Sequence, residues 1–243
     1  MTLSAITIPM LSDNYAWILR EDASGALAFI DPAESGPAIA AVEQMGGKLD
    51  LILLTHHHDD HIAGAEALRQ RFGAPIIGAE ADAHRLPPLD TAVKEGDEIS
   101  FAGHKGRVIE TPGHTVGHIS YFFPDGSILF CGDTMFSLGC GRMFEGTPEQ
   151  FFESFRKIAA LPPETLICCG HEYTQSNARF ALSIDPDNAA LRARAAEVDR
   201  MRAEGKQTVP VRLADEMPVN PYLRAADAAS FGRIRAMKDN FKG

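Results

Sequence analysis

Residues 50–61 read Asp-Leu-Ile-Leu-Leu-Thr-His-His-His-Asp-Asp-His. The first six residues form a nearly continuous apolar run, which is typical of a strand buried on both faces of a sheet. The last six are all histidine or aspartate, side chains that are costly to concentrate in one loop unless a metal ion binds them. The stretch therefore predicts a buried strand with a metal site at its carboxyl end.

Alternation along this stretch divides the candidate ligands. In an extended segment His56 and His58 point to one side and His57 to the other. Asp60 and His61 follow where the chain turns towards a helix. We therefore predict that His56, His58, Asp60 and His61 converge on metal, whereas His57 braces the loop as a donor behind the ligands.

Three later segments each place a possible ligand directly after an apolar strand and a glycine. They supply His114, Asp133 and His171. Rigid strands can aim such ligands, and glycine permits the tight turns that this requires. Each residue alone would more often be a surface or turn residue, but their occurrence with the His56–His61 cluster favours ligation. His84 and His104 lack this strand geometry and are predicted to be solvated, while His118 is kept out of the ligand set.

The order of predicted elements indicates a mixed α/β domain followed by a helical region. Strand patterns recur up to residue 170 and alternate with helical patterns, of which 147–160 starts with a clear capping box at Thr147. Beyond residue 171 no convincing strand pattern is found, and the segments 176–183, 188–204 and 225–238 are predicted to be helical. The sequence therefore predicts a division into residues 1–170 and 171–243.

Composition excludes several classes of protein. The chain has 243 residues, of which 45% are apolar, and a formal net charge of −10. Such a charge argues against a nucleic-acid surface and against a basic membrane patch. There is no basic segment before Arg20 and no apolar run of spanning length, so neither a signal peptide nor a membrane span is expected. The four cysteines form no Cys-x-x-Cys pair, and we expect them to be reduced thiols. Reduced thiols are typical of a cytoplasmic protein.

The combined motifs resemble those of the metallo-β-lactamase superfamily: His-x-His-x-Asp-His at 56–61, Pro-Gly-His-Thr at 112–115, Gly-Asp-Thr at 132–134 and Gly-His at 170–171. More specifically, the chain looks like a member of the glyoxalase II, or hydroxyacylglutathione hydrolase, family. This second resemblance rests on residues 11–15, 139–147, 170–174, 220–224 and 238–242. Together the motifs cover essentially the whole chain.

The resemblance implies an α/β fold, the four-layer αβ/βα metallo-β-lactamase sandwich, with a small C-terminal helical domain. Residues 1–170 would form the catalytic domain and residues 171–243 the glutathione-binding domain. The resemblance also implies two divalent metal ions per chain. His56, His58 and His114 would hold the first ion, Asp60, His61 and His171 the second, and Asp133 would bridge them. Zinc is the expected metal, and iron or manganese would suit the same nitrogen and oxygen ligands.

The activity implied is hydrolysis of S-D-lactoylglutathione and related 2-hydroxyacyl glutathione thioesters to D-lactate and glutathione, the second step of methylglyoxal detoxification. A hydroxide bound to the binuclear centre would attack the thioester carbonyl, with Asp60 and Asp133 as catalytic residues. No Gly-x-Ser-x-Gly nucleophile motif is present. The substrate contacts implied by the family are Arg142, Phe144, Tyr173, Asn177, Arg235 and Lys238.

Several alternatives share part of this pattern. A lactonase would share the bridging aspartate but not the C-terminal tail, and a β-lactamase would normally be exported. A persulfide dioxygenase would use one iron with two histidines and one aspartate, so the second set of ligands argues against it. A nonenzymatic metal-binding or redox-sensing module would not need seven convergent ligands. We expect a monomer. Its partner would be a small-molecule glutathione thioester, and binding to nucleic acid or to a membrane is not expected.

Overall fold

The computed structural model describes residues 2–242. The chain forms two compact units: unit 1 is Met1–Glu110 with Gly117–Gly132, and unit 2 is Thr111–Val116 with Asp133–Gly243. The chain passes between these units three times. The predicted domain boundary at residue 171 follows a change in composition instead, and it stays a prediction.

Unit 1 contains two β-sheets. Its strands are β1 (Leu3–Met10), β2 (Asn14–Glu21), β3 (Leu27–Ile30), β4 (Leu51–Leu53), β5 (Ile76–Ala79), β6 (Thr91–Val93), β7 (Glu98–Phe101), β8 (His104–Glu110), β9 (Ile119–Phe123) and β10 (Ile128–Gly132). In the first sheet, β1 to β3 are antiparallel and β3 to β6 are parallel, in chain order. Strand β4 is buried throughout and lies between β3 and β5, as its apolar pattern predicted.

The second sheet of unit 1 is antiparallel and packs against the first. Its order within the unit is β7-β8-β9-β10. Strands β9 and β10 form the hairpin that Pro-Asp-Gly at 124–126 between two apolar segments predicts. Phe130 of this sheet lies 6.3 Å from Trp17 of the first sheet, measured between ring centroids. The Tyr121 hydroxyl donates a hydrogen bond to the carbonyl of Leu54 at 2.9 Å. Side chains from both sheets therefore fill one interior.

Helices cover the other face of the first sheet in unit 1. They are α1 (Ser35–Gln44), the single turn α2 (Asp59–Ile62) and α3 (Ala65–Phe72). Buried residues of α1 and α3, such as Val42 and Leu68, form a core cluster with Phe29 and Ile52 of the sheet. Unit 1 thus contains a helical layer and two sheet layers.

Unit 2 is mainly helical. Its helices are α4 (Pro148–Ala159), α5 (Thr174–Ile184), α6 (Ala189–Ala203), α7 (Leu213–Glu216) and α8 (Ala228–Asp239), and its strands are β11 (Met135–Phe136), β12 (Gly139–Cys140), β13 (Leu166–Cys169) and β14 (Val211–Arg212). The capping box predicted at Thr147 is present, because its side chain accepts a hydrogen bond from the Gln150 amide and Gln150 returns one. Helix α8 begins with a second capping box at Asp227. It packs on α4 through Phe231, whose ring lies 5.3 Å from that of Phe151.

Two expectations from the sequence are wrong. Strand β14 lies beyond residue 171, where no strand was expected, and pairs antiparallel with β13. It was not predicted because two residues are too few to show a periodic pattern. His104 is buried, not solvated, and its Nδ1 atom lies 2.6 Å from the Asp125 carboxylate. No helix in residues 2–242 has both the length and the apolar character needed to cross a membrane.

Candidate active site

The loop after β4 gathers four of the predicted ligands within unit 1. His56 Nε2 lies 3.2 Å from His58 Nδ1, and the rings of His56 and His61 are 4.2 Å apart between centroids. His61 Nε2 lies 3.9 Å from the Asp60 carboxylate. The structure therefore brings His56, His58, Asp60 and His61 together, as the alternation of this stretch predicted.

Asp31, which was not among the predicted site residues, binds this loop through Thr55 and His61. Its carboxylate accepts hydrogen bonds from the Thr55 amide at 2.8 Å and from the Thr55 hydroxyl at 2.6 Å. It also lies 3.1 Å from His61 Nδ1, and the Thr55 hydroxyl lies 3.0 Å from His56 Nδ1. The Asp31 carboxylate can only accept, so His61 donates to it through Nδ1. The Thr55 hydroxyl gives its proton to Asp31 and therefore accepts from His56 Nδ1, which leaves Nε2 as the nitrogen of each ring that can offer a lone pair. Asp31 follows an apolar strand just as Asp133 does, and that signal could have found it.

Two further histidines support the loop. His57 Nδ1 lies 3.0 Å from the buried Asp82 carboxylate, which also accepts from Arg85 at 2.5 Å. This is the kind of contact expected of a residue that braces the loop. His118 is fully buried and stacks on His56, with 4.8 Å between the ring centroids.

A second group of predicted ligands meets within unit 2. Asp133 Oδ2 lies 3.5 Å from His114 Nε2 and 3.3 Å from His171 Nε2, and all three side chains are buried. His114 Nδ1 lies 2.7 Å from the carbonyl oxygen of Arg142. A carbonyl can only accept, so Nδ1 carries a proton, and Nε2 is the nitrogen that faces the Asp133 carboxylate.

This geometry fits a metal ion. A metal ligand offers an unprotonated nitrogen, and such a nitrogen facing a buried carboxylate oxygen repels it unless a cation lies between the two atoms. Two ligands that share a tetrahedral ion at about 2.0–2.1 Å are separated by about 3.3 Å. The separations of Asp133 from His114 and His171, at 3.5 and 3.3 Å, agree with that value. The donor set is nitrogen and carboxylate oxygen without thiolate, which suits divalent zinc, iron or manganese.

The segment 142–146 is fastened to the segment that carries His114. The Phe144 amide donates to the His114 carbonyl at 3.2 Å, and the Gly146 amide donates to the Gly113 carbonyl at 3.1 Å. The Val116 amide donates to the Glu145 carboxylate at 2.9 Å. Only glycine fits at position 113, because a Cβ atom there would lie 2.2 Å from the Phe151 ring. The predicted substrate segment and the predicted ligand His114 are therefore held as one piece.

Two of the predicted substrate residues, Arg142 and Phe144, are exposed, and a third, Tyr173, lies beside the predicted metal ligand His171. The Arg142 side chain is 65% exposed, and its guanidinium lies 5.3 Å from the centre of the Phe144 ring. Phe144 is itself 59% exposed. The Tyr173 ring stacks on His171 almost in parallel, with 4.7 Å between centroids.

Asn177 and Arg235 are buried and already have partners in the chain. The Asn177 amide donates to the Ser137 carbonyl at 3.1 Å. Arg235 donates through Nη1 to the Cys140 carbonyl at 3.1 Å and through Nη2 to the Asp239 carboxylate at 2.9 Å. Their assignment as substrate contacts stays a prediction. What the structure adds is that both residues also hold main-chain segments in place.

Lys238 lies one turn beyond Arg235 on α8. Its Nζ donates to the Ser176 carbonyl at 3.0 Å and to the Ser176 hydroxyl at 2.9 Å. It also lies 5.5 Å from the centre of the Phe180 ring and 5.7 Å from that of Phe241. Partial burial, together with the charge of Arg235, lowers the pKa of Lys238 to about 8.

Comparison with known proteins places this fold and these motifs in a family. The model described as the metallo-beta-lactamase superfamily matches residues 12–171. The structure of BLEG-1, a B3 metallo-beta-lactamase, superposes with a TM-score of 0.72 at 22% identity, covering 91% of this chain and 100% of that one. The structure of ETHE1 from Myxococcus xanthus gives a TM-score of 0.71 at 25% identity, covering 100% and 92%. The chain belongs to the metallo-beta-lactamase superfamily, and the predicted fold class is confirmed.

The C-terminal region narrows the family. A model described as the hydroxyacylglutathione hydrolase C-terminus matches residues 172–241. A hydroxyacylglutathione hydrolase of Acidiphilium cryptum is 62% identical, covering 96% of this chain and 95% of that protein. One of Ruegeria pomeroyi is 52% identical, covering 99% and 100%. Within the superfamily this chain is a member of the hydroxyacylglutathione hydrolases, as its motifs indicated, and thus a metal-dependent hydrolase.

Proposed function

We propose that this protein hydrolyses S-D-lactoylglutathione and related 2-hydroxyacyl glutathione thioesters to D-lactate, or the related 2-hydroxy acid, and glutathione. This substrate class is supported by relatives named hydroxyacylglutathione hydrolase, to which the chain is similar over nearly its full length. The observation that carries the chemistry is the separation of Asp133 from His114 and from His171, each of which matches a pair of ligands that share an ion. We propose that this reaction is the second step of methylglyoxal detoxification and that it takes place in the cytoplasm.

We assign the metal ligands residue by residue from the family motif. His56, His58 and His114 hold one divalent ion, Asp60, His61 and His171 hold a second, and Asp133 bridges the two. The contacts of His56 Nδ1 with Thr55 and of His61 Nδ1 with Asp31 leave Nε2 as the nitrogen of each ring that can bind an ion, which supports this assignment. We propose zinc as the metal, with iron and manganese as the ions that the same ligands would also accept.

When bound, such ions polarise an acyl oxygen and lower the pKa of a water molecule. The residues of the chain supply orientation and proton transfer. Asn14 donates to the Asp60 carboxylate at 3.0 Å and to its carbonyl at 3.1 Å, which points the Asp60 carboxylate in one direction. We assign Asp60 as the group that orients the attacking water and accepts its proton. The thiolate of glutathione is a good leaving group, so little acid assistance is required at sulfur.

Charge distribution supports a glutathione site in unit 2. Unit 2 has fifteen basic and fifteen acidic residues, whereas unit 1 has eight basic and eighteen acidic residues. The formal net charge of −10 therefore belongs to unit 1. Glutathione carries two carboxylates and needs local cations, and Arg142 and Lys238 provide them in the neutral unit. We assign Phe144, Tyr173, Asn177 and Arg235 as the further contacts.

The test is a direct assay of the purified protein with measured metal content. We expect hydrolysis of S-D-lactoylglutathione with release of a free thiol, at two metal ions per chain. A β-lactam, an acyl-homoserine lactone and glutathione persulfide with oxygen serve as competing substrates. The proposal fails if the metal-loaded protein leaves the thioester intact, or if it turns over the lactone, the lactam or the persulfide faster.

The state of Lys238 predicts a pH dependence of substrate binding. Its pKa of about 8 means that the side chain is a cation below that pH and neutral above it. We expect KM for S-D-lactoylglutathione to rise between pH 7 and pH 9, because a charge-assisted hydrogen bond to a substrate carboxylate is lost. Lys238→Gln should have a KM raised roughly tenfold at pH 7 and almost independent of pH up to 9.

The matched control is Lys105→Gln, since Lys105 is an exposed lysine of unit 1 that pairs with Glu98. It should retain the KM and the pH profile of the unmodified protein. A KM profile of Lys238→Gln that still rises with pH would mean that another group is responsible.

A further inference from the structure

Asp239, the last residue of α8, contacts two of the basic residues assigned to glutathione. Its Oδ1 atom accepts a hydrogen bond from Arg235 Nη2 at 2.9 Å. The same oxygen lies 3.9 Å from Nε of Arg142, which follows β12 in a different part of unit 2. One carboxylate oxygen therefore links the helix that carries Arg235 to the segment that carries Arg142.

The two arginines depend on Asp239 in different ways. Arg235 is only 6% exposed, and a buried guanidinium needs a compensating negative charge. Arg142 is mostly exposed, with the Phe144 ring on its guanidinium and the Asp239 carboxylate beside its Nε atom. A long side chain held in this way loses less rotamer freedom when a ligand binds. Lys238 differs from both, because its Nζ is held by Ser176.

We propose that Asp239 is a positioning residue that holds Arg142 and Arg235 at the spacing with which they receive a substrate carboxylate. The inference rests on the proposed function and adds a residue to it. Asp239 would also repel an incoming carboxylate. Its side chain is 34% exposed, so water and salt weaken that repulsion, whereas the hydrogen bond to the buried Arg235 is direct. The orienting effect therefore exceeds the repulsion.

The experiment compares Asp239→Asn with the unmodified protein on two substrates. One is S-D-lactoylglutathione, and the other is the same thioester with its glycine carboxylate esterified. We expect Asp239→Asn to raise KM for the free acid about tenfold, with kcat within about twofold. KM for the ester should stay the same, because the ester lacks the carboxylate that the arginines receive. Asp187→Asn, an exposed aspartate in the same unit, is the control and should change neither value.

Asp239→Glu is a second variant that tests the same inference if Asp239→Asn does not fold. It keeps the charge that Arg235 needs but moves the carboxylate by one methylene, so KM for the free acid should again rise while KM for the ester does not. An equal rise for both substrates, an unchanged KM or a lower KM in the folded variants would overturn the inference.

The outcomes separate this inference from the proposed function. If the unmodified protein does not hydrolyse the thioester, the proposed function fails. If it hydrolyses acid and ester with equal KM, the cationic glutathione site fails. If it prefers the free acid and that preference is the same in Asp239→Asn and Asp239→Glu, only the role of Asp239 is wrong.

Discussion

Replacing Asp133 with asparagine should lower kcat by at least about a hundredfold, since even residues that only support metal ligands contribute about 10–100-fold. The same variant should bind less metal than the unmodified protein. The physical reason is the position of the carboxylate, whose Oδ2 atom lies 3.3 and 3.5 Å from the Nε2 atoms of two histidines. The neutral amide removes the negative charge that offsets the charge of the ions.

Metal content by elemental analysis and thioester hydrolysis are measured on the same preparation. Asp187→Asn, an exposed aspartate of the same unit, makes the same chemical change outside the site and should alter neither quantity. Full activity of Asp133→Asn with two ions retained would refute the assignment of Asp133 as a bridging ligand.

Replacing Phe231 with alanine should lower the free energy of unfolding by about 3–5 kcal/mol, the usual cost of removing a large buried aromatic side chain. Phe231 is fully buried, and its ring lies 5.1 Å from those of Phe155 and Tyr222. It is the residue through which α8 joins the core of unit 2. Because α8 also carries Lys238 and Asp239, KM for the glutathione thioester should rise as the variant approaches its unfolding transition.

Urea unfolding followed by circular dichroism measures the first effect. Met237→Ala is the control on the same helix, since Met237 is 51% exposed and should change the free energy of unfolding by less than about 0.5 kcal/mol. A cost below about 1 kcal/mol for Phe231→Ala would show that α8 is not anchored by this side chain. Removing the whole helix would remove this anchor as well, so single substitutions are the cleaner test of the substrate site.

The elements that the sequence predicted correctly are those with a strong local signal. Strand β4 has an unbroken apolar run, α4 has its capping box, and β9 with β10 has a turn sequence between two apolar segments. The short strands β11, β12 and β14 were not predicted, since two residues show no periodicity and owe their pairing to partners distant in the chain. The burial of His104 was not predicted, because its partner Asp125 lies 21 positions away in the sequence.

The candidate ligands could be selected from the sequence because a metal site requires chemically rare groups at the ends of strands, and their assignment as ligands stays a prediction. Residue type and position in the sequence were enough to select His56, His58, Asp60, His61, His114, Asp133 and His171. Residues that support these ligands could not be selected in the same way. Asn14 and Glu145 are ordinary polar residues, and only their contacts with Asp60 and Val116 reveal their roles. Asp31 is the exception, because it follows an apolar strand as Asp133 does.

The sequence by itself determined the family of this protein, and with it the fold class and the class of reaction, because its motifs resemble those of the family. The candidate metal ligands could also be selected from the sequence, because residue type is a local property. Tertiary structure alone decided which nitrogen of His56, His61 and His114 is available to a metal, because this depends on the partner of the other ring nitrogen. It also decided that Arg235 is buried, and that Lys238 on the same helix donates a hydrogen bond to Ser176. Burial and hydrogen-bond partners come from segments far apart in the chain, and no local pattern encodes them.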